Sequence, residues 1–293
     1  MRPAQLASLI ALGAIWGSSF LFMKIAVPAF GPAMMMGGRI GIAAVTLTLF
    51  ARCFRKSLPR GNQWKPAVIT GIFYAALPLV LWGYAAQSLS VSLLSIINAT
   101  APLFATALSL MRLAGHESQR PGVRGLAGLA LGFVGVAVLV RGEDFHAGAM
   151  PVLAIAAAFA ASMLYGAISL YNQTAKIADP YSNVLGALWV ATLVMAPLMA
   201  MFPLRESPPA GAWISVAALG VLCTAIAYVM YFRLIEQIGA APTLTVTYLI
   251  PLFGVLWGVM FLDERIGVHH VAGAGMILAG IALVAKARRN SAG

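Results

Sequence analysis

The sequence predicts an all-α integral membrane protein with ten transmembrane helices arranged as two inverted five-helix repeats. Three observations carry this prediction. Only 9% of the 293 residues are charged and 61% are hydrophobic, so the water-facing surface of a soluble domain, about 25% charged, cannot be assembled. Apolar runs of about 20 residues, the length that crosses a hydrocarbon core about 30 Å thick, recur ten times between clusters of charge, Pro and Gly. A displacement of 149 residues then lays landmarks of one half on the other.

The first repeat, residues 1–141, holds spans near 5–27, 31–51, 67–87, 91–113 and 122–141. A short outer linker occupies 142–148. The second repeat, residues 149–293, holds spans near 149–172, 181–202, 211–234, 240–262 and 268–286, followed by a cytoplasmic tail. Each run must be helical, because lipid offers no partner to a backbone N–H or C=O. The first is too long for a signal-peptide core and has no small-residue cleavage site after it, so it reads as a helix of the protein. At the connectors Ser88–Ser90 and Gln237–Gly239 only the length of the apolar run argues for two helices.

Orientation follows from the basic residues. With the N-terminus inside, 14 Lys and Arg fall on the inner face and 4 on the outer (Lys24, Arg141, Arg205 and Arg265), while Arg39 lies within a span. Both termini are therefore expected in the cytoplasm. The net charge of +11 belongs to this bias, so no nucleic-acid partner is expected. Cys53 and Cys223 give neither a disulfide framework nor a metal spacing and read as free thiols.

The 149-residue displacement pairs Gly17 with Gly166, Leu21 with Leu170, Gly37 with Gly186, Trp64 with Trp213 and Gly71 with Gly220. It also pairs Pro102-Leu103-Phe104 with Pro251-Leu252-Phe253. At the last span the displacement shrinks to 145 and pairs Gly128 with Gly273 and Gly135 with Gly280. Five spans per half is an odd number, so the halves insert in opposite directions.

Pro102 and Pro251 fall at mid-span, where each removes a donor and frees a carbonyl, that of Asn98 or Thr247. One reading is a kink that adjusts packing. The other is that both kinks bow their helices around a cavity, with Asn98, Thr100, Thr245, Thr247 and Tyr248 offering hydrogen bonds to a solute. Trp16, Trp82, Tyr165, Tyr228 and Trp257 also gather at mid-span, as core packing or as walls of a mostly apolar pocket. The substrate-binding candidates are thus Trp16, Trp82, Asn98, Tyr165, Tyr228, Thr247 and Tyr248. Small residues four apart, such as Gly128 and Gly132, read as close helix packing.

All eight acids fall in loops or at helix ends, which argues against a buried proton relay or a paired-carboxylate enzyme. The four histidines are loop residues without ligand spacing, so no metal, cofactor or catalytic residue is expected. Arg39 lies about 12 Å along its span. It can recognise a carboxylate or phosphate, yet it also suits a structural role, snorkelling to the interface or bracing carbonyls. Lys24 reads as an interface anchor.

Trp16-Gly17-Ser18-Ser19-Phe20, followed by Lys24 and then Arg39, resembles the opening of EamA-type members of the drug/metabolite transporter superfamily. Pro251-Leu252-Phe253 leading to Asp263-Glu264-Arg265 resembles the close of the second repeat of that family. The resemblance spans essentially the whole chain. Glu264 follows Pro251 by 13 residues but Glu117 follows Pro102 by 15, which breaks the register in the first half. The resemblance implies a secondary carrier in the cytoplasmic membrane, exporting amino acids or related metabolites by alternating access. Its partners are then a small-molecule substrate and the lipid bilayer, and a monomer is compatible with this reading. No G-x-x-x-x-G-K-[ST] loop occurs to bind ATP phosphates. A membrane enzyme or a sensor without transport activity is the alternative.

Overall fold

The computed structural model describes residues 2–53, 56–110, 123–141, 149–175, 177–204 and 207–291, without the side chains of Leu110, Arg141, Ala149, Met150, Ala241 and 286–291. The linker 142–148 and Glu117 lie outside the described residues.

All regular structure among the described residues is helical. The first element, α1 (Pro3–Cys53), is 51 residues long, which as a straight helix would measure about 77 Å, more than twice the hydrocarbon core. It is broken at Gly31, whose φ of 67° and ψ of 166° leave helical space between two residues without an N–H, Pro28 and Pro32. α1 is therefore two helical arms, and the spans expected at 5–27 and 31–51 correspond to them. Then come α2 (Trp64–Thr70), a π-helical turn (Gly71–Ala76) and α3 (Leu77–Ala85), which together make one continuous rod.

The short connector after α3 ends at Ser90, whose hydroxyl caps α4 (Val91–Asn98) by accepting from the Leu93 N–H at 3.1 Å. A break at Ala99 and Thr100 separates α4 from α5 (Ala101–Leu110). α6 (Val123–Arg141), α7 (Ala149–Thr174) and α8 (Pro180–Met201) follow, the last capped by Asp179, which accepts from the Tyr181 N–H. In the next rod α9 (Ala210–Gly220) passes through a second π-helical turn (Val221–Ile226) into α10 (Ala227–Ile238). Gly239, at φ 84°, ends that rod before the short α11 (Ala240–Thr243), α12 (Val246–Leu262) and α13 (Val268–Ser291). By length and composition, eight helical stretches among the described residues can cross a membrane, α1 counting once, and the shorter apolar α12 lies beside them. Leu193, Ile214, Met260 and Phe261 are each at least 60% exposed, a surface suited to lipid.

Glycines let these helices touch backbone to backbone. A Cβ on Gly128 would lie 2.7 Å from the Gly280 carbonyl oxygen, and one on Gly135 2.8 Å from that of Gly273. The low number on α6 faces the high number on α13, so the two helices run antiparallel. A second pair of contacts is reciprocal across the repeat. A Cβ on Gly17 would meet Phe253 Cβ at 2.7 Å and the Ile250 carbonyl at 3.0 Å, whereas one on Gly166 would meet Ala105 N at 2.7 Å and the Ala101 carbonyl at 2.8 Å. Ile250 and Ala101 are themselves 149 residues apart. Each half thus seats one helix on the other half's proline-bearing helix.

Candidate substrate site

The two π-helical turns sit at matched positions of the two halves, Gly71–Ala76 and Val221–Ile226. Each begins where its rod packs backbone-close on a neighbour: a Cβ on Gly71 would lie 2.7 Å from the Ala187 carbonyl, and one on Gly220 3.0 Å from that of Arg39. The extra residue in a π turn re-aims the side chains that follow, and such turns gather at functional sites. In the first half the turn presents Tyr74, whose ring centroid lies 4.8 Å from that of Tyr165 on α7. In the second it presents Cys223 and Thr224 toward α1: Cys223 Sγ is 3.6 Å from Ser18 Oγ, and the Arg39 Nε–H donates to Thr224 Oγ1 at 3.0 Å. The Thr224 hydroxyl donates in turn to the Leu219 carbonyl five residues back, a bond the wider turn makes available.

An aromatic wall continues from these turns. Tyr74 and Tyr228 adjoin through their hydroxyls. Tyr228 stacks on Phe232 at 6.1 Å, Phe232 tilts against Tyr231 at 5.9 Å, and Tyr231 meets Trp16 at 5.4 Å. Tyr74, Tyr165 and Tyr228 are each half-buried. Of the candidates read from the sequence, Trp16, Tyr165 and Tyr228 belong to this wall. Trp82 stands behind it, 1% exposed and edge-on to Phe20 at 5.5 Å.

Asn98 is half-buried at the C-terminal end of α4, and Thr247 and Tyr248 are half-buried in the first turn of α12. The Thr247 hydroxyl is turned back onto the Leu244 carbonyl at 2.8 Å. The prolines beside them behave differently. The chain breaks just before Pro102, and the Ile97 carbonyl accepts from the Thr100 N–H (3.0 Å), the Thr100 hydroxyl (2.6 Å) and the Ser162 hydroxyl of α7 (3.0 Å). A backbone acceptor freed within a span is thereby satisfied by side chains. Helix α12 instead runs through Pro251, and its break lies upstream between α11 and α12.

Lys24 does not anchor at the interface as expected. It turns inward and donates to the Ala86 and Leu89 carbonyls at 3.2 and 2.9 Å, the first at the C-terminal end of α3 and the second further along the α3–α4 connector. Glu264 accepts from the Val91 N–H (2.5 Å), the Ser92 N–H (3.0 Å) and the Ser92 hydroxyl (2.6 Å), at the N-terminal end of α4. Cation at a helix C-terminus and anion at a helix N-terminus is the arrangement the helix dipole favours. Both ends of the α3–α4 connector are held by charges from elsewhere in the chain. Arg39 likewise does not snorkel: it is 8% exposed and reaches inward.

Sequence reading missed Tyr74, Tyr231 and the Cys223-Thr224 pair. The signal for two of them was present, because the matched Gly71 and Gly220 mark the two turns.

Fold and site together define a polytopic helical membrane protein whose two halves carry matching landmarks and share an aromatic cluster. The chain belongs to the EamA-like transporter family, whose profile matches residues 5–141 and 152–286, one copy in each half. It is similar to the "uncharacterized inner membrane transporter YedA" of Escherichia coli K12, 26% identical over 296 residues, covering 97% of this chain and 92% of that one. The "uncharacterized transporter YoaV" of Bacillus subtilis is 23% identical, covering 93% of this chain and 94% of its own length. A Streptantibioticus cattleyicolor protein named "probable terminal-alkyne amino-acid exporter" is also 23% identical, with 92% and 89% covered. A solved crystal structure superposes over 100% of both chains with a TM-score of 0.68 at 17% identity, a likeness of fold.

Proposed function

We propose that this protein is a secondary carrier that exports small metabolites, such as amino acids or related compounds, across the cytoplasmic membrane by alternating access. On this reading ten spans form two inverted five-span repeats, with the arms of α1 as the first two and α12 as the ninth. The observation that carries it is the exchange of matched contacts, Gly17 on α12 and Gly166 on α5, together with the antiparallel α6 and α13. An inverted repeat gives two conformations of related energy, one open to each side of a shared site. Transport is supported by the family and by relatives named as transporters, and the export direction by the relative named as an exporter. The solute lies along the aromatic cluster, with Trp16, Asn98, Tyr165, Tyr228, Thr247 and Tyr248 contributing contacts and Trp82 backing them.

The test is counterflow. Purified protein in proteoliposomes, screened with labelled amino acids and related acids and amines, should show saturable flux and faster efflux when unlabelled solute is added on the opposite side. Substitution of Trp16, Asn98 or Tyr248 should weaken it. Non-saturating, channel-sized currents without counterflow would refute the carrier reading.

A further inference from the structure

The buried Arg39 has a feature that packing alone does not explain. Its Nε–H is bound to Thr224, but among the described residues neither terminal nitrogen of the guanidinium has a partner, and no carboxylate faces it. A charge taken out of water and left without a counter-charge is costly, all the more at membrane depth. Ser19 and Trp82 are two further buried donors without a hydrogen-bond partner. Ser19 Oγ, 5% exposed as a residue, faces Cys223 without completing a hydrogen bond, and the Trp82 indole N–H, 1% exposed, lies toward Tyr165 without completing one. The field of Arg39 reaches Cys223, Tyr165 and Tyr228, all neutral groups.

We propose that Arg39 is the anchor for a carboxylate carried on an apolar or aromatic body, with Ser19 as a supplementary donor. The site holds one fixed positive charge and several neutral donors, which matches a monoanion; a phosphate dianion would leave a buried negative charge. The free edge of a guanidinium fork suits the two oxygens of a carboxylate. The body of the ligand then lies along Tyr74, Tyr165 and Tyr228. This inference rests on the substrate site proposed above and narrows its ligand class.

The experiment is equilibrium binding to the full-length protein in nanodiscs, read by tryptophan fluorescence, with phenylacetate as probe. Phenylacetamide and benzylphosphonate serve as its neutral and dianionic counterparts. The acid should bind about tenfold to a hundredfold more tightly than the amide, the range for a hydrogen-bonded charge pair, and more tightly than the phosphonate. R39Q should abolish the preference for acid over amide, R39K should retain part of it, and S19A should weaken the acid about threefold to tenfold. If R39Q does not fold, the comparison on the wild-type protein and on S19A decides. Equal binding of acid and amide, tighter binding of the phosphonate, no response to any of the three, or an undiminished acid preference in R39Q would overturn the proposal. Counterflow of neutral solutes with no carboxylate preference would sink this inference alone. Carboxylate binding without counterflow would sink the carrier reading instead.

Discussion

Glu264 is the acid whose removal separates a structural from a coupling role. Its carboxylate accepts three hydrogen bonds at the N-terminal end of α4, two from backbone N–H groups that otherwise have no partner inside that helix. A hydrogen bond to a charged group contributes about 1.5–3 kcal/mol, but Glu264 is half-exposed, so water replaces part of what is lost. The cost of E264A should therefore lie closer to that of a missing cap plus one buried donor, about 2–3 kcal/mol. E264Q, which keeps one acceptor oxygen but presents an NH₂ where the other was, should cost about 1 kcal/mol. Thermal unfolding in detergent, followed by loss of the monodisperse species, should rank wild type above E264Q and E264Q above E264A. Counterflow per folded molecule should keep its wild-type pH dependence in E264Q. A flattened pH profile in E264Q with unchanged stability would refute the capping argument and make Glu264 a proton carrier.

The remaining expectations are these. Replacing Gly166 with Leu should cost as much folded yield as replacing Gly17 with Leu, because each β-carbon would meet the partner helix's backbone at about 3 Å or less; overpacking by a single methylene already costs about 1–3 kcal/mol. Equal yields of wild type and both variants in size-exclusion profiles would contradict the reciprocal seating. P102A should leave abundance unchanged and slow counterflow, since the restored N–H can bond the Asn98 carbonyl and draw the α4–α5 break toward continuous helix; normal counterflow would make the break a packing detail. Reporter fusions at Met1 and Gly293 should be active in the cytoplasm and one in the 142–148 linker outside, and a cytoplasmic linker would break the inverted arrangement.

Fold class was legible because lipid makes composition decisive: a chain only 9% charged has few other options, and the 20-residue period is set by bilayer thickness. The shortest connectors were also correctly placed, since Ser90 caps α4 and Gly239 takes the positive φ that ends α10. Helix interruptions were less legible. Proline marks where a donor is missing, but whether the helix breaks nearby depends on what can satisfy the carbonyls that a break leaves open. Ser162 and Thr100 supply hydroxyls beside Pro102, and there the chain breaks, while α12 continues through Pro251. The π turns leave no mark in composition or hydrophobic period, and only the matched Gly71 and Gly220 point to them. Lys24 was misread for a related reason: the carbonyls it binds come from a distant part of the chain.

The reciprocal seating bears on which bodies would move in the proposed carrier. The first arm of α1 packs on α12 and α10 of the second half, and α7 packs on α3, α4 and α5 of the first. Rocking repeat one as a unit against repeat two would tear both of these backbone-close contacts, and glycine interfaces have no flexible side chains with which to slide. A body that moves intact therefore has to keep each donated helix with the half that receives it. Arg39 and Thr224 belong to elements of different halves, and beside their hydrogen bond Gly220 packs backbone-close on Arg39. A bond to Thr224 alone can break and re-form as the side chain shifts, whereas a bound anion would hold the guanidinium whichever way the site opens.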